Sequence, residues 1–174
     1  DTNHPQGDYQ GSVGQAQLDW LEAQLSEVNR QPGRIALLCS HHGSVSLTNT
    51  RGDDPQRRHA AALLALLHRH PSLKAWLVGH RHLHAIQPHP GPAGGFWEIS
   101  TGALIDWPVQ TRAVEFQRHA DDAWAIHCTL RDHDAPADTP AGWHYHLARR
   151  FAGGHADRMQ GAPGDGDAVL VCPR

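Results

Sequence analysis

Residues 73–82, LKAWLVGHRH, place an apolar run of strand length directly before two histidines separated by one residue. Alternate side chains of an extended segment point to the same side, so His80 and His82 can both reach one site. The preceding Gly79 permits a tight backbone turn where the strand ends. The stretch therefore predicts a buried strand that delivers two candidate metal ligands.

A second stretch of the same kind lies upstream. RIALLCS at 34–40 reads as another buried strand, and it is followed by His41 and His42. Leucines repeating at three and four residues predict a helix over 15–29 before it, and a Leu-rich run predicts a helix over 54–70 after it. Such alternation favours parallel strands with crossover helices, which collect loop side chains at the carboxyl edge of the sheet.

Local signals suggest where these helices begin. Ser12 and Gln15 have the spacing of a capping box. Asp54 can cap the second helix, with Pro55 in its first turn. Pro71 ends that helix.

The chain changes character after residue 82. Strand-like runs separated by Gly, Pro or Asp-Asp predict an antiparallel meander. These runs are HAIQPH (84–89), GFWEIST (95–101), RAVEFQR (112–118) and AWAIHCTLRD (123–132). Residues 132–142 read as a linker, 143–151 as a short helix, and AVLVC near the end as a last strand.

Composition excludes some classes of function. The 174 residues carry a net charge of −3, and the 15 Lys and Arg are scattered, which argues against a nucleic-acid partner. The apolar runs fall short of the ~20 residues that cross a bilayer, so a soluble protein is expected. The three cysteines form no CxxC pattern and are expected to be thiols. The first residue is Asp1, which suggests a cut or processed end.

The order of strand, histidine pair, helix, strand and G-H-x-H resembles the last two motifs of the calcineurin-like metallophosphoesterases. Two further segments resemble a bacterial, uncharacterised branch of that family. GSVGQAQLDWLEAQL at 11–25 resembles the helix before the histidine strand, and WEISTGALIDWPVQTR at 97–112 resembles the strand pair after G-H-x-H. The resemblance covers roughly residues 8–130, and relatives of this branch often appear exported.

The resemblance implies specific ligands. His41 and His80 would share one metal ion, and His82 would hold its neighbour. Gly43 stands where the family usually has proline, which leaves His42 open as the alternative to His41. The implied cofactors are two divalent ions, with Mn, Fe and Zn suited to mixed nitrogen and oxygen ligands. The implied substrate is a phosphate monoester or diester, and no catalytic residue beyond the ligands is assigned.

The family's carboxylate motifs, D-x-H, G-D-x-x-D and G-N-H-D/E, are missing from the sequence. Asn3-His4 and Gly52-Asp53 imitate parts of them and are interpreted as loop residues. The resemblance therefore implies the second half of a four-layer α/β/β/α sandwich. Residues 1–131 would be the C-terminal half of the domain, 132–142 a linker, and 143–174 a helix and tail strand of the same domain. The missing N-terminal half would be the required partner, and the isolated chain is expected to be inactive.

Two other interpretations remain open. His80, His82 and His84 suggest a hydrolase of the metallo-β-lactamase type, although the spacing H-x-H-x-D-H of that class is not matched. The chain could also be a non-catalytic binding module, or an inactive fragment with incidental histidines. His84 and His89 are predicted to be surface residues beyond the site. Trp107 and Arg81 are candidate substrate contacts, through an apolar wall and a phosphate oxygen respectively.

Overall fold

The computed structural model describes residues 9–52, 54–92 and 94–172, so Asn3, His4 and Asp53 lie outside it. These residues divide into two compact units. The first runs up to His80 and includes Pro88–Glu98, and the second comprises Arg81–Gln87 and the residues from Ile99 onward. The predicted segments 1–131, 132–142 and 143–174 concern domain membership and stay a prediction.

The fold is mixed α/β, with a parallel strand pair and a separate antiparallel sheet. Up to residue 100 the elements are β1 (Val13–Gly14), α1 (Gln15–Asn29), β2 (Ala36–Cys39), β3 (Arg57–Arg58), α2 (Ala60–Leu67), β4 (Leu73–Val78), β5 (Ala85–His89) and β6 (Phe96–Ser100). Four of these strands form one sheet in the order β2-β4-β6-β5, and β2 runs parallel to β4 as predicted. No helix in the described part of the chain is both long and apolar enough to cross a membrane.

Helix α1 covers the predicted residues 15–29, and its Leu18 and Leu25 are buried in the core of the first unit. The predicted cap is wrong. The N-cap is Gly14, whose backbone N–H donates to Gln17 Oε1 at 3.1 Å. Gly14 also pairs with Arg57 in the short ladder between β1 and β3, which keeps the chain extended up to residue 14.

Helix α2 begins at Ala60, and its N-cap is His59, five residues after the predicted cap Asp54. Asp54 instead closes a turn, in which its Oδ1 accepts from the backbone N–H of Gln56 at 2.9 Å. Asp-Pro opens turns as readily as helices, and here the next residues, Arg57–Arg58, pair with β1. The helix then buries Leu63, Leu66 and Leu67.

Strand β2 is not fully buried as predicted. Within the described part of the chain it lies at the edge of its sheet, and its side chains alternate between half-buried and exposed. Ala36 and Leu38 pack against the core, whereas Leu37 is 45% exposed and Cys39 is also exposed. An edge strand has a paired neighbour on one side only, which leaves part of its surface open.

The second unit contains β7 (Thr111–Arg118), β8 (Trp124–Arg131), α3 (Pro140–Ala152), a 3-10 turn (Gly153–His155), α4 (Ala156–Met159) and β9 (Ala168–Cys172). The predicted strands are confirmed, but they do not form one meander. β7, β8 and β9 form their own antiparallel sheet. Helix α3 begins three residues before the predicted 143, because Thr139 caps it by accepting from the backbone N–H of Gly142 at 3.2 Å.

The cysteines differ in accessibility, which predicts that one thiol reacts quickly with a thiol reagent and two react slowly. Cys39 is exposed, while Cys128 and Cys172 are buried and none forms a disulfide. Burial also raises the pKa of Cys128, despite the opposing effect of Arg112. We expect a thiol reagent to modify Cys39 quickly in the native protein, and all three cysteines after unfolding without reductant. The Cys39→Ser variant should lose the fast phase, and a thiol missing after unfolding would contradict the assignment.

Candidate metal centre

Three histidines of the first unit converge at the carboxyl ends of two adjacent parallel strands. His41 and His42 follow β2, and His80 follows β4. One ring nitrogen from each of them lies within 4.8 Å of the others. The predicted pair of His41 and His80 is therefore brought together, and His42 joins it rather than replacing His41. The cluster is capable of binding a metal ion.

The three rings are packed against one another. His80 Nδ1 lies 3.2 Å from His41 Nε2, and the ring centroids of His42 and His80 are 4.0 Å apart. His42 and His80 are buried, while His41 is exposed. The ring of Tyr9 lies 4.5 Å from that of His80. The cluster thus has a buried floor and an open side at His41.

The imidazole of His42 is held in one orientation. Its Nδ1 lies 3.1 Å from Ser46 Oγ, and a Cβ on Gly11 would lie 2.6 Å from its ring carbons. Its Nε2 is buried and has no hydrogen-bond partner among the described residues. A buried polar nitrogen without a partner costs about 1–3 kcal/mol. A metal ion bound by the cluster would satisfy this nitrogen.

The protonation state of His42 also suits metal binding. Burial lowers its pKa to about 4, and the neighbouring His80 and His41 add to the effect. His42 is therefore neutral at physiological pH. Neutral imidazole is the form that offers a nitrogen lone pair to a metal.

A buried carboxylate supports the loop that carries His41 and His42. Glu98 accepts from the backbone N–H of Ser44 at 2.9 Å through Oε1, and its Oε2 lies 2.7 Å from His89 Nε2. Burial by itself raises the pKa of Glu98, but the bonds from His89 and Ser44 outweigh it and the pKa is lowered. A Cβ at Gly43 would lie 2.2 Å from Glu98 Oε1, so any larger residue there would displace this carboxylate.

The tight turn after β4 was predicted to depend on Gly79, but the residue with the unusual backbone conformation is His80. His80 adopts a left-handed conformation with φ of 65°, whereas Gly79 does not have a positive φ. Gly79 instead donates its backbone N–H to the carbonyl of His41 at 3.0 Å, which ties the two strand ends together. A left-handed conformation is uncommon for residues other than glycine and is enriched at functional sites.

His82, the third predicted ligand, belongs to the second unit. Its Nδ1 pairs with Asp106 Oδ2, and its side chain is 39% exposed. His82 is also left-handed, with φ of 51°. Its assignment as a metal ligand stays a prediction.

Two histidines predicted to be on the surface are buried. His84 is fully buried, its Nε2 lies 3.0 Å from Gln110 Oε1, and its Nδ1 accepts from the backbone N–H of Gly102 at 3.2 Å. Both ring nitrogens are thus used within the fold, which removes His84 from the metallo-β-lactamase interpretation. His89 is buried against Glu98 and stacks on Phe96. Burial of a histidine depends on such distant partners, which its own sequence neighbourhood does not reveal.

A cavity of about 350 Å³ adjoins the cluster within the first unit. His41 and His42 line it, together with Ser12 and Ser40. The remaining wall is largely apolar and consists of Val13, Gln17, Trp20, Leu21, Leu38, Leu47 and Leu63. The cluster therefore has space beside it for part of a ligand.

Sequence reasoning missed the residues that orient these histidines. Gly11, Ser46, Glu98 and Asp106 were not assigned to the site. Gly11, Glu98 and Asp106 did lie inside the two family-like segments, 11–25 and 97–112, but nothing in those segments singled out these three residues. Ser46 lies outside both segments, and a serine in a loop has many ordinary roles.

Comparison with known proteins gives a weak structural likeness. No family model matches the chain, and no curated protein matches it. Among solved structures, it is similar to a dimetal phosphatase from Danio rerio, with a TM-score of 0.45 and 21% sequence identity. That match covers 68% of this chain and 35% of the phosphatase, so the chain spans about a third of the length of that protein.

Proposed function

We propose that this chain is part of a metal-dependent phosphoesterase that hydrolyses phosphate monoesters or diesters. The observation that carries the proposal is the cluster of His41, His42 and His80 at the carboxyl ends of β2 and β4. It combines three imidazoles, a buried nitrogen of His42 without a hydrogen-bond partner, and an adjoining cavity. The order of motifs in the sequence points to the same chemistry.

The donors present fit one transition-metal ion. Among the described residues the cluster has three imidazoles and no carboxylate, a set suited to Zn, with Mn or Fe requiring added oxygen ligands. His82 is proposed as a ligand to a second ion. Its pairing with Asp106 supports this role, because metal-binding histidines usually donate their other ring N–H to a carboxylate or carbonyl.

A bound divalent centre would polarise the phosphoryl group and lower the pKa of water. The residues of this chain have supporting roles in that chemistry. Ser46 and Gly11 hold the His42 ring, and Glu98 fixes the loop through the N–H of Ser44. The cavity beside His41 would receive the organic part of the ester.

We further propose that an additional half-domain supplies the missing carboxylates and completes a four-layer sandwich. The exposed edge of the sheet supports this proposal. Among the described strands β2 has one neighbour, and Leu37 and Cys39 on it are exposed. A paired strand on that side would cover backbone groups that edge strands leave open.

Metal binding by the chain itself tests the cluster. We expect one Zn²⁺ to bind, and His42→Ala to weaken its affinity about 100-fold, since even residues that only orient ligands are worth roughly 10–100-fold. Gly11→Ala should weaken it less, because its Cβ would displace the His42 ring. Isothermal titration calorimetry at constant pH measures both effects.

The exposed His119, which lies on a turn of the second unit, provides the matched control. His119→Ala should leave Zn²⁺ affinity unchanged. If the wild-type chain binds no Zn²⁺, or if His42→Ala and His119→Ala behave alike, the cluster is not a metal site. The binding-module interpretation would then be favoured.

A further inference from the structure

The second unit has a cavity of its own. Its volume is about 520 Å³, within the usual range for small-molecule sites. Leu83, Trp107, Ala148 and Met159 form its inner wall, and the first three are buried. The cavity lies entirely among residues of the second unit.

Large apolar side chains extend this cavity toward solvent. Ile105 is 70% exposed, Leu147 is 49% exposed and Phe151 is 85% exposed, and all three line the cavity. Exposed apolar side chains grouped around one cavity commonly mark a binding site. The cavity could therefore hold an aromatic ring or an alkyl chain.

The rim of the cavity is positively charged. Arg81 and Arg158 line it, and neither guanidinium has an ion pair or hydrogen bond with another described residue. Asp106 is the one acidic residue in the described lining, and it pairs with His82. Two guanidiniums without carboxylate partners beside an apolar wall complement a ligand that has an anionic group on an apolar body.

The indole of Trp107 is fixed before any ligand arrives. Its Nε1 donates to the carbonyl of Ala156 at 3.1 Å, and its ring lies 5.1 Å from that of Tyr145. The guanidinium of Arg149 lies over the indole at 5.1 Å. A preformed wall lowers the entropy cost of binding, because fewer side chains must be ordered by the ligand.

We propose that this cavity binds a small organic anion with an aromatic or alkyl body. Arg81 and Arg158 hold the anionic group, while Trp107, Leu147 and Phe151 contact the apolar body. The proposal goes beyond the phosphoesterase function and does not depend on a bound metal.

The test uses a fluorescent anion and a neutral relative of the same shape. We titrate the intact chain with 8-anilinonaphthalene-1-sulfonate and with N-phenyl-1-naphthylamine. Arg158→Gln is expected to weaken binding of the sulfonate about tenfold, the effect of losing a hydrogen bond to a charged group, and to leave the neutral amine unchanged. Phe151→Ala should weaken the binding of both probes. Arg150 is an exposed arginine on α3 outside the cavity lining, so Arg150→Gln should leave the binding of both probes unchanged.

Two further measurements distinguish this anion site from sulfonate coordination to a metal ion and from purely apolar adsorption. Sulfonate binding should persist in excess EDTA, whereas loss on chelation would contradict a metal-independent site. 1-Naphthyl phosphate should compete with the sulfonate more strongly than 1-naphthol does. If Arg158→Gln does not fold by circular dichroism, Arg81→Gln is used in its place with the same expectation.

The proposal is overturned if Arg158→Gln and Phe151→Ala both leave sulfonate binding intact. It is also overturned if the face is covered by a second copy of the chain. In that case sedimentation would show a dimer that excludes the sulfonate, and Phe151→Asp would return it to a monomer.

Discussion

Replacing His80 with alanine is expected to reduce metal-dependent hydrolysis at least about 100-fold in a longer form of the protein that includes the proposed additional half-domain. The substitution removes an imidazole of the cluster, whereas losing a residue that merely orients a ligand already costs roughly 10–100-fold. Release of p-nitrophenol from p-nitrophenyl phosphate and from its bis-ester, with added Mn²⁺, measures the effect.

The isolated 174 residues should hydrolyse neither ester at a significant rate. Three imidazoles can hold one ion, but they supply no negative charge to bridge two ions. Adding the half-domain, in one chain or as a co-expressed partner, should restore turnover. Vigorous hydrolysis by the isolated chain that survives His80→Ala would place the active site elsewhere.

The control for this experiment must be an exposed histidine. His89 would have served if it were on the surface, but it is buried and pairs with Glu98 at 2.7 Å. Its replacement would disturb the loop that carries His41 and His42 through Ser44. His119→Ala, which should keep full activity, separates loss of a ligand from general effects of histidine removal.

A second large effect, on the stability of the fold, is expected when Glu98 is replaced. Glu98→Ala should lower the free energy of unfolding by about 3–5 kcal/mol, because each of two buried donors would lose its acceptor at a cost of about 1–3 kcal/mol. It would leave the Ser44 N–H without its acceptor and His89 without its carboxylate. Glu98→Gln should cost less, because its amide oxygen can still accept from Ser44. Urea denaturation followed by circular dichroism measures both losses.

The same carboxylate predicts how stability depends on pH. The pKa of Glu98 is lowered in the folded protein from its ordinary 4.5. Its contribution is therefore fully present above the ordinary pKa, and it is lost as the pH falls through the folded pKa. Glu98→Gln should flatten this acid limb, whereas Glu115→Gln, an exposed residue on β7, should leave it unchanged. Identical acid limbs in all three proteins would contradict this role for Glu98.

The helices and strands that local sequence patterns determine were predictable. The 3.6-residue repeat in 15–29 gives α1 its predicted bounds, and the apolar run at 73–78 forms β4 as expected. The start of α2 was not predictable in this way. Asp-Pro serves turns and helices alike, and the pairing of Arg57–Arg58 with β1 decided between them. That pairing joins residues far apart in the sequence.

The candidate site was likewise predictable only in part. The order of strands placed His41 and His80 at one edge of the sheet, because parallel neighbours end together. Whether His42 also points inward depends on Ser46 and Gly11, which hold its ring. The role of Glu98 depends on a contact with a residue 54 positions away, which no local pattern contains.

His80 is held in a left-handed backbone conformation that glycine adopts without cost and histidine does not. At this position the residue that best suits the backbone therefore differs from the residue that the cluster needs. In a lineage freed from the need for this imidazole, drift should replace His80 with glycine or asparagine early, while the strand before it persists. If histidine is kept at position 80 in descendants, the imidazole is still in use. Conservation of the buried strand would not show this, because the strand is needed for folding in either case.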